Sequence, residues 1–415
     1  MNRSPLVVIF ITVFIDLVGF GIVIPVLPFY VESERFRATP RELGLLLASY
    51  SVMQLIFTPV LGRLSDRYGR RPVLFFSIVG AGLGNAVLGG ATALWMLFAG
   101  RILAGITGGN ISTAQAYIAD ITTPENRARG MGLFGAAFGL GFIFGPSIGG
   151  LLSHFGMSVP FYFASALSFA NAALLYFTLP ETVTPDHPAR AHAAPRGWPH
   201  VWRALKRREL AVVLLTYFLF VVSFSIMTTA FPLYTKFRFG YDPLHNGYLF
   251  AYIGIISAVI QGALIGRLVK LWGEPRLVVM GALALTPTLL VLPFVGPLQG
   301  GLAAMLCLLA AFSTGNSFAT PALTSLASRS VGAAEQGGVM GVTQAVASLA
   351  RTVGPVLGGY LIYSATAPAP DYIDDRSLLV TFAVSAAVML FALLCAVYYT
   401  KAVTVDRKEV LSPES

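Results

Sequence analysis

Segments of about 20 consecutive apolar residues recur along the whole chain, each long enough to cross a bilayer core as a helix. Twelve can be marked, at 5–30, 43–62, 72–92, 94–118, 129–153, 159–179, 209–235, 247–270, 276–296, 299–326, 337–363 and 378–400. Within lipid every backbone N–H and C=O has to bond inside the protein, which leaves helices and closed barrels. The runs do not alternate polar and apolar residues with period two, so a barrel is excluded. Only 11% of the 415 residues are charged, against 56% hydrophobic, and mean hydropathy is +0.74. The expectation is an all-α integral membrane protein. The first run is too long for a cleaved signal peptide, and "PVLP" is a poor cleavage site. Cys307 and Cys395 lie inside apolar runs and read as unpaired thiols acting as small apolar side chains.

The net charge of +9 is explained by where the basic residues fall. With the N-terminus placed inside, 20 of the 28 Lys and Arg lie in inner segments, six in outer ones, and two, Arg101 and Arg351, within spans. This is the positive-inside asymmetry. It predicts a multi-pass plasma membrane protein, in a bacterium the inner membrane, with both termini cytoplasmic, and it accounts for the basicity without a nucleic-acid partner.

A polar stretch, "ETVTPDHPARAHAAPRGWPHVWRALKRR" at 181–208, divides the spans six and six. It reads as a solvated linker, with "VWRALKRREL" patterned as a short amphipathic helix on the inner leaflet. His187, His192 and His200 there lack metal-ligand spacing. The domains expected are an N-terminal bundle over 1–180, the linker at 181–208, a C-terminal bundle over 209–402 and a tail at 403–415. The halves repeat. "TVFIDLVGFGIVIPVLPFY" at 12–30 aligns with "TYFLFVVSFSIMTTAFPLY" at 216–234, and "GRLSDRYG" at 62–69 with "GRLVKLWG" at 266–273, both at an offset of 204. "GPSIGG" at 145–150 matches "GPVLGG" at 354–359, at an offset of 209. Two parallel six-helix repeats make a transporter layout, with a site near mid-membrane between the halves.

The stretch "GRLSDRYGRRPVL" at 62–74 sits at a tight inner turn between the second and third runs. Gly62 permits close helix packing, and Gly69 permits a sharp backbone turn. Asp66 is an anion suited to a helix N-terminus, and Arg70 can grip a carboxylate with its fork. Gly62, Leu64, Asp66, Gly69, Arg70 and Arg71 resemble the signature loop of the major facilitator superfamily. The resemblance implies a cytoplasmic gate in which Asp66 meets the start of the eleventh helix, near "EQGGVMG" at 335–341. The second-half copy has Lys270 in place of Asp66, which implies an asymmetric gate.

Further stretches at 48–74, 93–109 and 138–150 are similar to the tetracycline-efflux and drug/proton antiporter branch. So is the opening pattern of Asp16, Gly19, Gly21, Pro25, Val26, Leu27 and Pro28. Gly141, Gly145, Pro146, Gly149 and Gly150 resemble the motif that branch carries in the fifth span. Their own physics is helix contact through small residues, with a bend at Pro146. The sequence departs from tetracycline exporters where these carry acids in the third and ninth spans. Here Gly84 and Asn85 stand in the third, and 276–296 holds no acid. The eighth span also lacks that family's histidine. A broader organic substrate is implied.

Asp16 is the one acid deep in a span, and a charge there has to face a cavity, find a partner or take a proton. At about 1.5 Å per residue, Asp16 lies roughly 16 Å above the inner start of its helix. Arg101 lies roughly 10 Å below the outer start of the fourth, so in a core about 30 Å thick their depths differ by only about 4 Å. Asp16 and Arg101 are therefore expected as the proton-coupling pair, with a fixed structural ion pair as the competing reading. Arg351 could snorkel, bind an anion or line the cavity, and a structural role is the expectation. If the first, fourth, seventh and tenth helices line the cavity, as in the superfamily, the candidates are Phe20, Asn110, Gln115, Tyr117, Phe224, Thr228, Thr229, Asn316, Phe318 and Thr320. Such a lining suits a small amphiphile. The expected function is proton-coupled efflux of small amphiphilic compounds or drugs, by a protein acting as a monomer in the bilayer without cofactor or metal. The alternative is a proton-independent facilitator or flippase for a sugar, lipid or other metabolite. No nucleophile triad, phosphate loop or metal cluster points to an enzyme.

Overall fold

The computed structural model describes residues 5–123, 126–183, 207–331, 336–368 and 372–411. Among them, twelve helices have the length and hydropathy to cross a membrane. They are α1 (Pro5–Glu32), α2 (Pro40–Tyr68), α3 (Arg70–Gly90), α4 (Leu94–Ile121), α5 (Arg127–Ser153) and α6 (Val159–Thr178) in the first half. The second half holds α7 (Arg208–Phe239), α8 (Pro243–Trp272), α9 (Glu274–Phe294), α10 (Gly301–Arg329), α11 (Gln336–Ile362) and α12 (Asp375–Leu411). An even number of crossings brings both termini to one end, called the terminal end below; the opposite end is the far end.

Several helices run further than hydropathy suggests. The turn expected over 62–74 shrinks to Gly69 alone, because polar residues at a membrane surface still satisfy their backbone best in a helix. Gly69 has φ +112°, and its repeat counterpart Gly273 has φ +76°. Both stand where an L side chain is strained. α12 continues through Leu411, into the segment expected as a tail. Within α4 the helix stops at Ile106 and restarts at Asn110, and within α8 a π-helical turn occupies Ile260–Leu264. Most of the 181–208 linker, including His187, His192 and His200, lies outside the described residues.

The halves pack by the same glycine contacts. In the first, a methyl on Gly145 would lie 2.8 Å from the carbonyl oxygen of Val18 and 2.7 Å from the Cα of Gly21. In the second, a methyl on Gly354 would lie 2.9 Å from the carbonyl oxygen of Val222. Val222 is Val18 plus 204, so the repeat seen in sequence extends to individual contacts. Tyr30 and Tyr234, also 204 apart, donate to the backbone carbonyls of Leu88 at 3.1 Å and Val295 at 2.7 Å.

Between the halves, the far end is closed. α2 meets α11 where Gly44 packs on Gly359, and α5 meets α8 where Gly150 packs on Gly247. Glu32 at the end of α1 accepts an ion pair from Lys236 of α7 at 3.0 Å. Toward the terminal end these helices part. Added methyls at Gly62, Gly135, Gly262, Gly266 and Gly341 would meet no atom within 4 Å. The apolar core divides accordingly. One cluster joins the second half to the far end of the first through Val26, Tyr30, Leu46 and Phe161. The terminal end of the first half keeps a cluster of its own, around Ile9, Leu74, Tyr117 and Leu175. The structure is open toward the terminal end.

Candidate functional site at the centre of the interface

Asp16 and Arg101 do not pair. Because α4 breaks at 107–109, Asn110 begins its second segment and turns its side chain to α1. Asn110 Nδ2 donates to the carboxylate of the half-buried Asp16, and Asn110 Oδ1 accepts the N–H of Ile111 at 2.9 Å. Arg101, one helical segment earlier, takes a different partner. Its guanidinium lies 4.3 Å from the ring centroid of Tyr50 on α2, a cation–π contact. Arg101 is 6% exposed, and its Nε is buried without a hydrogen-bond partner. Among the described residues, no carboxylate forms an ion pair with it. Tyr50, not Asp16, takes the guanidinium.

Tyr50 leads across to the second half. Gln54, one turn along α2, donates through Nε2 to the Tyr50 hydroxyl at 3.4 Å and to the Gly108 carbonyl in the α4 break at 3.0 Å. Gln54 Oε1 accepts from Arg351 Nη2 of α11 at 3.4 Å, and Ser348 Oγ accepts from the same nitrogen at 3.3 Å. Arg351 therefore does not snorkel. The centre of the interface holds two arginines from opposite halves on one Tyr50–Gln54 pair, with Asp16 and Asn110 alongside.

At the terminal end, Arg70 bridges two carboxylates. Its Nη1 lies 2.5 Å from Asp66 Oδ1, and its Nε 3.0 Å from Asp120 Oδ2. The Arg70 side chain is only 7% exposed, so the pairing offsets a desolvation cost of several kcal/mol. Ser65 and Thr182 complete the cluster. Glu181 caps the start of α3 by accepting the N–H groups of Arg70 at 2.9 Å and Arg71 at 3.1 Å. Arg71 also donates to the Tyr176 carbonyl and lies over that ring. None of these partners belongs to the second half, and Glu181 and Thr182 tie the start of the expected linker to the first. Of the segment expected to meet Asp66, 335–341, all but Glu335 belongs to the described residues, and the ion-pair partner of Asp66 among them is Arg70. A methyl on Gly62 would meet no atom within 4 Å, contrary to the close packing expected there. Leu64 is 37% exposed.

The fifth-span glycines have two faces. Gly141, Gly145 and Gly149 lie on α1, at Leu17, Gly21 and Ile22, whereas Pro146 and Gly150 lie on Gly247 of α8. One face builds the first half and the other joins it to the second.

The cavity candidates divide. Phe20 is half-buried, 6.0 Å from Tyr50 and 6.4 Å from Phe142 between ring centroids. Phe224 stacks on Phe312 at 5.5 Å. Asn316 accepts from Thr320 at 3.1 Å, and Gln115 and Phe318 are half-buried. Thr228 and Thr229 both bond back to the Ser225 carbonyl, and Thr229 is buried. Tyr117 is not a lining residue. It is fully buried in the first-half cluster and donates to the Pro180 carbonyl at 3.0 Å. Sequence reasoning passed over Tyr50, Gln54 and the Glu32–Lys236 pair. The offset of 204 that maps Glu32 onto Lys236 was the available signal for the last.

The family model for the Major Facilitator Superfamily matches residues 9–355. The tetracycline resistance protein of class H from Pasteurella multocida is 34% identical over 377 residues, covering 88% of this chain and 90% of that protein. Multidrug resistance protein 2 of Bacillus subtilis (strain 168) is 30% identical over 366 residues, covering 87% and 89%. Among solved structures, the human organic anion transporter MFSD10 (TETRAN) superposes with a TM-score of 0.70 at 24% identity, over 95% of this chain and 99% of that one. Twelve spanning helices in two repeated halves, a match through most of the length and relatives of this identity place the chain in the major facilitator superfamily of membrane transporters.

Proposed function

We propose that the protein exports small amphiphilic organic compounds in exchange for entering protons, by alternating access between its two halves. The observation that carries this is Asp16, a carboxylate in the middle of α1 held by the neutral amide of Asn110. A carboxylate locked to an arginine would be a structural strut; one held by an amide at an interface open to one end is free to take up and release a proton. The excess of Lys and Arg at the terminal end orients that end to the cytoplasm of a bacterial inner membrane. The opening then faces inward, ready to load cargo.

The named relatives support drug efflux as the class. Tetracycline itself fits less well. A methyl on Gly84 would lie 2.8 Å from the Gly100 carbonyl oxygen and 2.9 Å from Ala104, so no acid fits there without moving α4. Its neighbour Asn85 is buried. We take the monomer as the working unit, since the interface already lies within one chain.

The test uses proteoliposomes with an internal pH dye, an imposed proton gradient, and a panel of lipophilic cations, organic acids, neutral amphiphiles and tetracycline. Proton movement on adding a compound, lost in Asp16→Asn, is the expected result. Compound movement indifferent to both the gradient and Asp16 would replace exchange with facilitated passage.

A further inference from the structure

We infer that Arg101 and Arg351 form a binding subsite for an anionic group on the transported compound, so that the cargo class is organic anions with an apolar body. This rests on the export reading above, because it places the cargo in the same interface. Two cations from opposite halves converge on Tyr50 and Gln54, and neither forms an ion pair with a carboxylate among the described residues. Buried guanidinium groups are ordinarily paired, since leaving one unpaired forfeits its solvation. Arg101 keeps a buried Nε with no acceptor. Among the described residues, Arg351 donates to two neutral acceptors, at 3.3 and 3.4 Å, both long for a charged donor. The neighbouring acid, Asp16, is taken up by Asn110.

What the cluster lacks is an acceptor with formal negative charge. A carboxylate, with two oxygens side by side, matches the fork of a guanidinium. Tyr50 and Phe20 supply aromatic surface beside it, and Phe142 extends that surface from α5. Tyr50, Phe20, Asp16 and Arg351 are half-buried, whereas Arg101 is buried behind Tyr50. Because the two arginines come from different halves, an anion between them also joins the halves. Export of an anion against an entering proton moves positive charge inward twice, so membrane potential as well as pH difference drives the cycle.

The experiment uses the purified full chain in detergent, with 2-naphthoate and its uncharged counterpart 2-naphthamide as probes, read by thermal unfolding and tryptophan quenching. The acid is expected to bind at least about tenfold more tightly than the amide. That preference should vanish in Arg351→Gln and fall in Arg351→Lys, which keeps the charge but loses the fork. Equal affinity for acid and amide, no binding of either, or unchanged selectivity in Arg351→Gln overturns the proposal. If Arg351→Gln fails to fold, the acid–amide comparison in the native sequence decides alone. The same probes in proteoliposomes separate the two readings. Charge-selective binding without proton movement keeps the anion subsite and removes exchange. Proton exchange with no preference for the acid keeps exchange and removes the subsite.

Discussion

Asn110 donates its side-chain N–H to Asp16 across the break in α4, while Arg101, on the other side of that break, rests on Tyr50. The two candidate partners of Asp16 can therefore be told apart energetically. Double-mutant cycles of thermal unfolding at neutral pH should show coupling of about 1.5–3 kcal/mol between Asp16→Asn and Asn110→Ala, the range for a hydrogen bond to a charged group. The cycle with Arg101→Gln should give less than about 0.5 kcal/mol. Comparable coupling to Arg101 would restore the fixed ion pair.

Glu32 and Lys236 close the far end with a pair whose carboxylate side chain is 3% exposed and whose amine side chain is 32% exposed. Removing one partner takes this ion pair from the other. Glu32→Gln should shift the balance between far-end-closed and far-end-open states by about 1–2 kcal/mol, five- to thirtyfold in population. Spin labels at the exposed loop positions 155 and 298, one in each half, would report the longer distance. The exchanged pair Glu32→Lys with Lys236→Glu should recover most of the closed population.

Gly150 and Gly145 lie on different faces of α5 and should fail differently. A methyl at Gly150 would lie 2.8 Å from the Pro243 carbonyl oxygen and 3.0 Å from the Leu244 Cα, both backbone atoms of the other half. Gly150→Val should leave the first half folded but prevent far-end closure, lowering transport at least about tenfold with little change in expression. Gly145→Val collides with α1 inside the first half and should reduce the amount of folded protein. Expression level and the 155–298 distance together check both.

Asp374 caps the start of α12, accepting the Ser377 N–H at 2.7 Å and the Ser364 hydroxyl at 2.5 Å. The Ser364 hydroxyl and then the Ser377 N–H hold its carboxyl below the ordinary value of 3.8. The folded state favours the charged form, so this stabilisation is present above the ordinary value and is lost as pH falls through the depressed one. Asp374→Ala should melt earlier than the native sequence at pH 7. The gap between them should narrow only once the solution is more acidic than the ordinary carboxylate range. A gap that stays the same when the solution is taken well below that range would remove the carboxylate from the account.

Hydropathy and the repeat made the architecture legible, because lipid leaves a backbone so few ways to satisfy its hydrogen bonds. The run at 62–74 was recognisable, and Gly69 does turn the chain there. Partner choice was harder to read. α1 is apolar on every side, so its sequence does not say which face Asp16 presents to which neighbour. The break at 107–109 turns Asn110 toward it; the Gly108-Gly109 pair marks a weak point of the helix in sequence, but not which neighbour the next residue will face. Tyr117 shows the same limit. Its position in the fourth span suggested a cavity residue, but only the fold reveals that its hydroxyl ends at Pro180.

The Glu32–Lys236 bond has a consequence for how such a chain can have arisen. Its two residues stand at equivalent places, 204 apart, and meet where the halves face each other. In a dimer of identical six-helix subunits, the same residue would stand on both sides of the two-fold axis. Two glutamates or two lysines would repel there. This latch is chemistry that a homodimeric ancestor could not have possessed, and it became available only once one polypeptide encoded both copies and let them diverge.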